Sequence, residues 1–124
     1  MSVLMRVTLR AIATGCLLLA GVTLGHAAGA LAIGKCGAYG YAYDFAQAAA
    51  ARTAALRNCS GPCKPVAVRR GCAALAIDGR NACGAHGYAI ATRLGQAQNA
   101  ALRNCYRGGG QDCVIRAWVC DAKG

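Results

Sequence analysis

The hexapeptide AALRNC fills residues 54–59 and returns at residues 100–105, each time followed within eight residues by a second cysteine, Cys63 or Cys113. Outward from it the duplication continues. ALAI at residues 30–33 recurs at 74–77, and CGAYGYAY from Cys36 recurs as CGAHGYAI from Cys83. The offsets are 44, 47 and 46 residues, so the chain holds two homologous units that differ by small loop changes. Two copies are too few for a solenoid, and a pseudo-symmetric single domain is expected.

Each unit reads as strand, strand, helix, strand. ALAI is a short buried strand, followed by GK in the first unit and by DGRN in the second, where Asp78-Gly79 is a hairpin signal. YGYAY alternates, which sets Tyr39, Tyr41 and Tyr43 on one face and small residues on the other. His86, Tyr88 and Ile90 hold the matching places. Residues 47–58 are alanine-rich and free of Gly and Pro, which favours helix. Ala48, Ala51, Ala55 and Leu56 form its apolar stripe, as Leu94, Ala97, Ala101 and Leu102 do in the second unit. Arg57 and Arg103 fall in the last turn, where a cation is stabilised by the helix dipole. SGP or YRGGG then stops the helix, and Val66–Arg69 or Val114–Val119 closes the unit as a third strand. The expected architecture is α+β: two repeats, residues 30–72 and 73–120, forming one mainly antiparallel sheet with both helices on one face.

The first residues have the make-up of a secretory signal peptide. MSVLMRVTLR brings two arginines and no acid, AIATGCLLLAGVTL is apolar, and LGHAAGA supplies small residues. The apolar run falls short of the roughly 20 residues that span a bilayer. A cleaved signal over residues 1–28 is expected, with cleavage after Ala27, Gly29 or Ala30, leaving a domain over 29–124 with no membrane span. Cys16 lies inside the apolar run rather than at its end, which argues against lipidation.

Removal of the signal leaves eight cysteines, Cys36, Cys59, Cys63, Cys72, Cys83, Cys105, Cys113 and Cys120. An even count in a short exported chain reads as a disulfide framework, and a core this small needs such staples. Zinc is the competing use of Cys59-x-x-x-Cys63; export and the lack of a matching short pair in the second half weigh against it. Bridges Cys59–Cys63 and Cys105–Cys113 would tie each helix end to the returning strand. The other four leave two arrangements open, Cys36–Cys72 with Cys83–Cys120 inside the units, or Cys72–Cys83 with Cys36–Cys120 between them.

The same residues carry a resemblance. ALAI, GAYGYAYDF, a helix ending in AALRNC, a cysteine leading into a Val-rich strand, GCAALAIDG, HGYA, a second AALRNC and a terminal WVC are similar, over residues 30–120, to the exported bacterial family called domain of unknown function 4189. The short GKCG turn departs from that family's longer polar turn, and Cys36 and Cys83 are additions to its usual cysteines. The resemblance implies export and a small cysteine-stapled fold. It supplies no catalytic residues.

Without residues 1–28 the chain keeps twelve Lys and Arg against four Asp and no Glu, a net charge of +8. Such a surface suits anionic partners or simply solubility. His86 is the one histidine left, and Asp44, Asp78, Asp112 and Asp121 sit in turns or at element ends; no paired carboxylates and no phosphate-cradling loop accompany them. The expectation is therefore a non-enzymatic module without cofactor, in the periplasm or outside the cell, that binds an anionic envelope polymer or a protein. No specific nucleic-acid site is expected. Tyr39, Tyr41, Tyr43, Tyr88, Arg116 and Trp118 are the candidate binding residues, with Arg116 and Trp118 alternating on one strand face as a cation and ring pair. The alternative is a small inhibitor or toxin-neutralising protein presenting GKCG or YRGGGQD to an enzyme. A third reading is a hydrolase using His86 and an aspartate.

Overall fold

A computed structural model describes residues 28–121. The expected signal, residues 1–28, lies outside the described residues except for Ala28, which opens the first strand. Six strands and two helices follow one another in two rounds: β1 (Ala28–Ile33), β2 (Tyr39–Phe45), α1 (Ala48–Arg57) and β3 (Lys64–Val68), then β4 (Gly71–Asp78), β5 (His86–Ala91), α2 (Leu94–Arg107) and β6 (Cys113–Asp121). Gly71 and Cys72, which the sequence suggests as the close of the first unit, begin β4 instead.

The fold is α+β, and its strands form two three-stranded antiparallel sheets, ordered β2-β1-β3 and β5-β4-β6, where the sequence alone suggested one continuous sheet. The reason lies in ALAI. Each copy is the central strand of its unit, with both edges taken by partners from the same unit, so neither central strand has an edge left for the other. Alternation then splits its side chains. Ala28, Ala30 and Ala32 of β1 pack with Ala51 and Ala55 of α1, and Cys72, Ala74 and Ala76 of β4 pack with Ala97, Ala101 and Cys105 of α2. The larger residues point the other way: Leu31 joins Val68, Ala73, Leu75, Ile77, Ala117 and Val119 in a core drawn from both units. Helices cover only the alanine faces, so the leucine faces find cover in each other. One helix lies on the outer face of each sheet, rather than both on one face, giving the layer order helix, sheet, sheet, helix.

AALRNC is the contact that seats each helix on its sheet. A Cβ at Gly40 of β2 would fall on the carbonyl oxygen of Ala55 and lie 2.8 Å from the carbonyl carbon of Asn58; a Cβ at Gly87 of β5 would meet the backbone of Ala101, Asn104 and Cys105 in the same way. The helix end therefore rests on bare strand backbone, an approach only glycine allows. The asparagine then secures it. Asn58 donates from Nδ2 to the Tyr41 carbonyl at 3.4 Å, and Asn104 to the Tyr88 carbonyl at 3.0 Å.

Four disulfides complete the framework. Cys59 is bonded to Cys63 and Cys105 to Cys113, each joining a helix end to the following strand. The remaining four pair outside both arrangements left open by the sequence, as Cys36–Cys83 and Cys72–Cys120. Cys36 and Cys83 are equivalent positions of the two units, so their bond lies on the pseudo-twofold relation between them. Cys72 and Cys120 face one another across β4 and β6, a pairing made possible because Cys72 belongs to β4.

Candidate functional site

Gly40 and Ala42 face α1, and the intervening tyrosines of β2 face away from it. β2 is an edge strand of its sheet and packs beside β6, an edge strand of the other, so that its tyrosines face β6. Between them runs an open groove of ≈ 590 Å³ lined by Tyr39, Tyr41, Tyr43 and the unbroken stretch 115–120. Tyr41 and Tyr43 are near-parallel, with ring centroids 6.4 Å apart and an interplanar angle of 10°. They are 47 % and 61 % exposed, and Trp118 is 50 % exposed. Tyr41 and Tyr43 are thus not core residues, whereas Tyr39 is half-buried against the core between the sheets.

Arg116 is placed by an irregularity of β6. The register shifts where Leu75 pairs with Ala117 and Ala76 with Ile115, leaving Arg116 as the extra residue of a β-bulge. The bulge takes Arg116 out of alternation with Trp118, so the expected pairing of those two is replaced by another: the guanidinium lies 5.3 Å from the ring centroid of Tyr39. Arg116 Nε also donates to the Gly37 carbonyl at 3.1 Å. Held by a ring and a carbonyl, the guanidinium keeps most of its donors for a ligand. Five of the six candidate residues, Tyr39, Tyr41, Tyr43, Arg116 and Trp118, therefore meet in one groove.

The sixth, Tyr88, lies in a related groove of ≈ 530 Å³ on the opposite edge, where β5 passes over β3 and His86 and Tyr88 meet Lys64 and Val66. No periodicity announced this second groove, because it is assembled from residues of different units.

Asp78 is buried at the end of β4; its Oδ1 accepts from the N–H of Arg80 at 3.0 Å and its Oδ2 from that of Gln111 at 3.3 Å. The Arg80 N–H is the largest influence on its pKa. Together with the N–H groups of Gln111 and Asp112 and the Arg80 charge, it outweighs burial and holds the carboxyl below its ordinary 3.8. Asp121 is buried at the end of β6. Among the described residues no hydrogen bond joins His86 to an aspartate. All eight described cysteines are disulfide-bonded, and no cluster of three or more His, Cys, Asp or Glu with metal-binding geometry occurs among the described residues. No helix among them is long and apolar enough to cross a membrane.

With this geometry in hand, comparison with known proteins gives one match: residues 28–120 fit the family model described as domain of unknown function (DUF4189). No curated protein and no solved structure matches.

Proposed function

The chain belongs to the DUF4189 family, and we propose that it works as an exported, non-enzymatic binding module whose β2–β6 groove holds an anionic partner. The observation that carries this reading is that Tyr39, Tyr41, Tyr43, Arg116 and Trp118 line one groove, with Arg116 held against the Tyr39 ring and the Gly37 carbonyl. Four of the seven aromatic residues of the sequence line this one groove. Half-exposed rings offer apolar area at little cost in side-chain entropy, and the guanidinium offers a fixed donor fork for carboxylate, sulfate or phosphate. Four disulfides suit an oxidising compartment and support export. The excess of Lys and Arg over Asp supports an anionic partner through long-range attraction.

Trp118 is the single tryptophan of the chain, so its fluorescence reports on the groove alone. Polyaspartate, heparin and single-stranded DNA, titrated at low salt, provide three anion chemistries. At least one is expected to shift Trp118 emission in a salt-sensitive way, with loss of about tenfold in affinity for Arg116→Ala. Binding that leaves Trp118 silent and is indifferent to Arg116→Ala would place the partner elsewhere.

A second reading, an inhibitor, is favoured by the loop over residues 108–112, which the Cys105–Cys113 bond spans and which follows a half-exposed Tyr106 in the last turn of α2. Inhibition of an exported hydrolase that vanishes with Tyr106→Ala and survives Arg116→Ala would select it.

A further inference from the structure

The lining of the groove carries information about the shape of its occupant. Six consecutive residues of β6, from Ile115 to Cys120, line it. Neighbouring side chains of a strand point to opposite faces, so a ligand lying on one face meets every second residue. A ligand that meets all of them lies along the edge, in the plane of the sheet. Among the described residues β6 has such an edge free, since its ladder there is with β4 alone. Cys72 and Cys120 lie 4.0 Å apart at Cα, the close spacing of a non-hydrogen-bonded antiparallel pair. The N–H and C=O of Cys120, and of Trp118 two residues before it, therefore point away from β4 and into the groove.

We propose that the occupant is an extended acidic segment of another polypeptide, added to the β5-β4-β6 sheet as a fourth strand along β6 and roofed by the tyrosines of β2. This rests on the groove being the binding site. The related edge of the other sheet shows what the molecule does where no strand is to be added. β3 has five residues and begins Lys64-Pro65; proline brings no N–H and lysine resists edge pairing. β6 has nine residues, with neither Lys nor Pro. Its bulge at Arg116 bends only the first half, and Ala117–Asp121 pairs with β4 in unbroken register. The acidic character follows from Arg116, the one charged side chain in the lining, and from a sequence with 14 Lys and Arg against 4 Asp and no Glu. Main-chain hydrogen bonds would supply affinity, and the tyrosines and Arg116 the selection of side chains.

The test uses the full oxidised protein and a displayed library of random peptides about as long as the nine residues of β6. Selected peptides are expected to be rich in Asp or Glu with alternating β-branched residues, to shift Trp118 emission, and to slow amide exchange at Trp118 and Cys120. N-methylation of alternate amides in a selected peptide is expected to weaken binding about tenfold while leaving charge and side chains intact. This arm needs no protein variant and so carries no folding risk. The proposal is overturned if N-methylation has no effect, if the Trp118 and Cys120 amides exchange unchanged, or if no peptide dependent on the groove is recovered. In the last case heparin or DNA still shifting Trp118 would preserve the anion-binding function and reject the strand; silence from every probe would reject both. Sedimentation showing a dimer whose dissociation exposes those same amides would assign the edge to a second copy of this chain.

Discussion

The two units share their three strands and α-helix in the same order and differ in what they expose. Unit one sets Tyr39, Tyr41 and Tyr43 on its second strand, where unit two has His86, Tyr88 and Ile90. Unit two in turn has the longer edge strand, nine residues against five, and the bulge that places Arg116. The aromatic strand of unit one and the edge strand of unit two meet in the same groove. The opposite groove joins the two lesser partners. Duplication with divergence has thus given one scaffold two related grooves with different linings. The parts that stayed alike, the alanines of ALAI, the glycines Gly40 and Gly87, and AALRNC, are those that hold helix to sheet.

The comparison can be broken most severely at the disulfides. Loop-closure entropy assigns about 4 kcal/mol to each of Cys36–Cys83 and Cys72–Cys120, and about 2 kcal/mol to Cys59–Cys63. Denaturant melts of the paired Cys→Ala variants are expected to follow that order, in step with sequence separations of 47 and 48 residues against 4. Equal losses from all three would show that these bridges act through native packing instead. Next come the glycines under the helix ends. Gly40→Ala and Gly87→Ala each force a Cβ into helix backbone and are expected to cost on the order of 3 kcal/mol, nearly equal if the units are equivalent there.

The asparagine clamps give a finer test. Asn104→Ala is expected to cost about 1 kcal/mol and Asn58→Ala less, since the hydrogen bond is 3.0 Å long in unit two and 3.4 Å in unit one. The smallest effect belongs to Asp78, whose place in unit one is taken by Gly34. Its carboxyl is held below the ordinary value in the folded state. Its stabilisation is therefore complete above the unfolded pKa and disappears as pH falls through the folded one, below about pH 4. Stability measured against pH is expected to lose that acid-side slope in Asp78→Asn. An unchanged slope would assign acid sensitivity to the other carboxylates.

Much of this was legible in the letters. The order of elements, the burial of ALAI, the setting of the β2 tyrosines on one face and the α+β class follow from local periodicity and from a repeat that reads the same way twice. The helix ends were less clear. α2 runs on through Cys105 to Arg107 before Gly108 ends it, because nothing in Tyr106-Arg107 opposes helix. The place of Cys72 was misread because the two residues joining β3 to β4, Arg69 and Arg70, include no Gly or Pro to mark a boundary; Arg70 makes the turn at a φ of 51°. With Cys72 counted in the first unit, its place opposite Cys120 was hidden. The candidate groove was legible as residues and illegible as a place. Arg116 reaches Gly37 across 79 positions of sequence, and the bulge that sends it there leaves no compositional trace.

By itself, then, the sequence determined the two units, their elements and which side of each strand is small, since these depend on neighbours a few residues apart. Tertiary structure alone decided that the leucine sides would close on each other instead of on a helix, that equivalent cysteines would join across the pseudo-twofold relation, and that the tyrosines of one unit would roof the free edge of the other. Those outcomes depend on which surfaces remain uncovered once each unit has formed. A chain of letters does not record them, because they arise only when whole faces compete for the same cover.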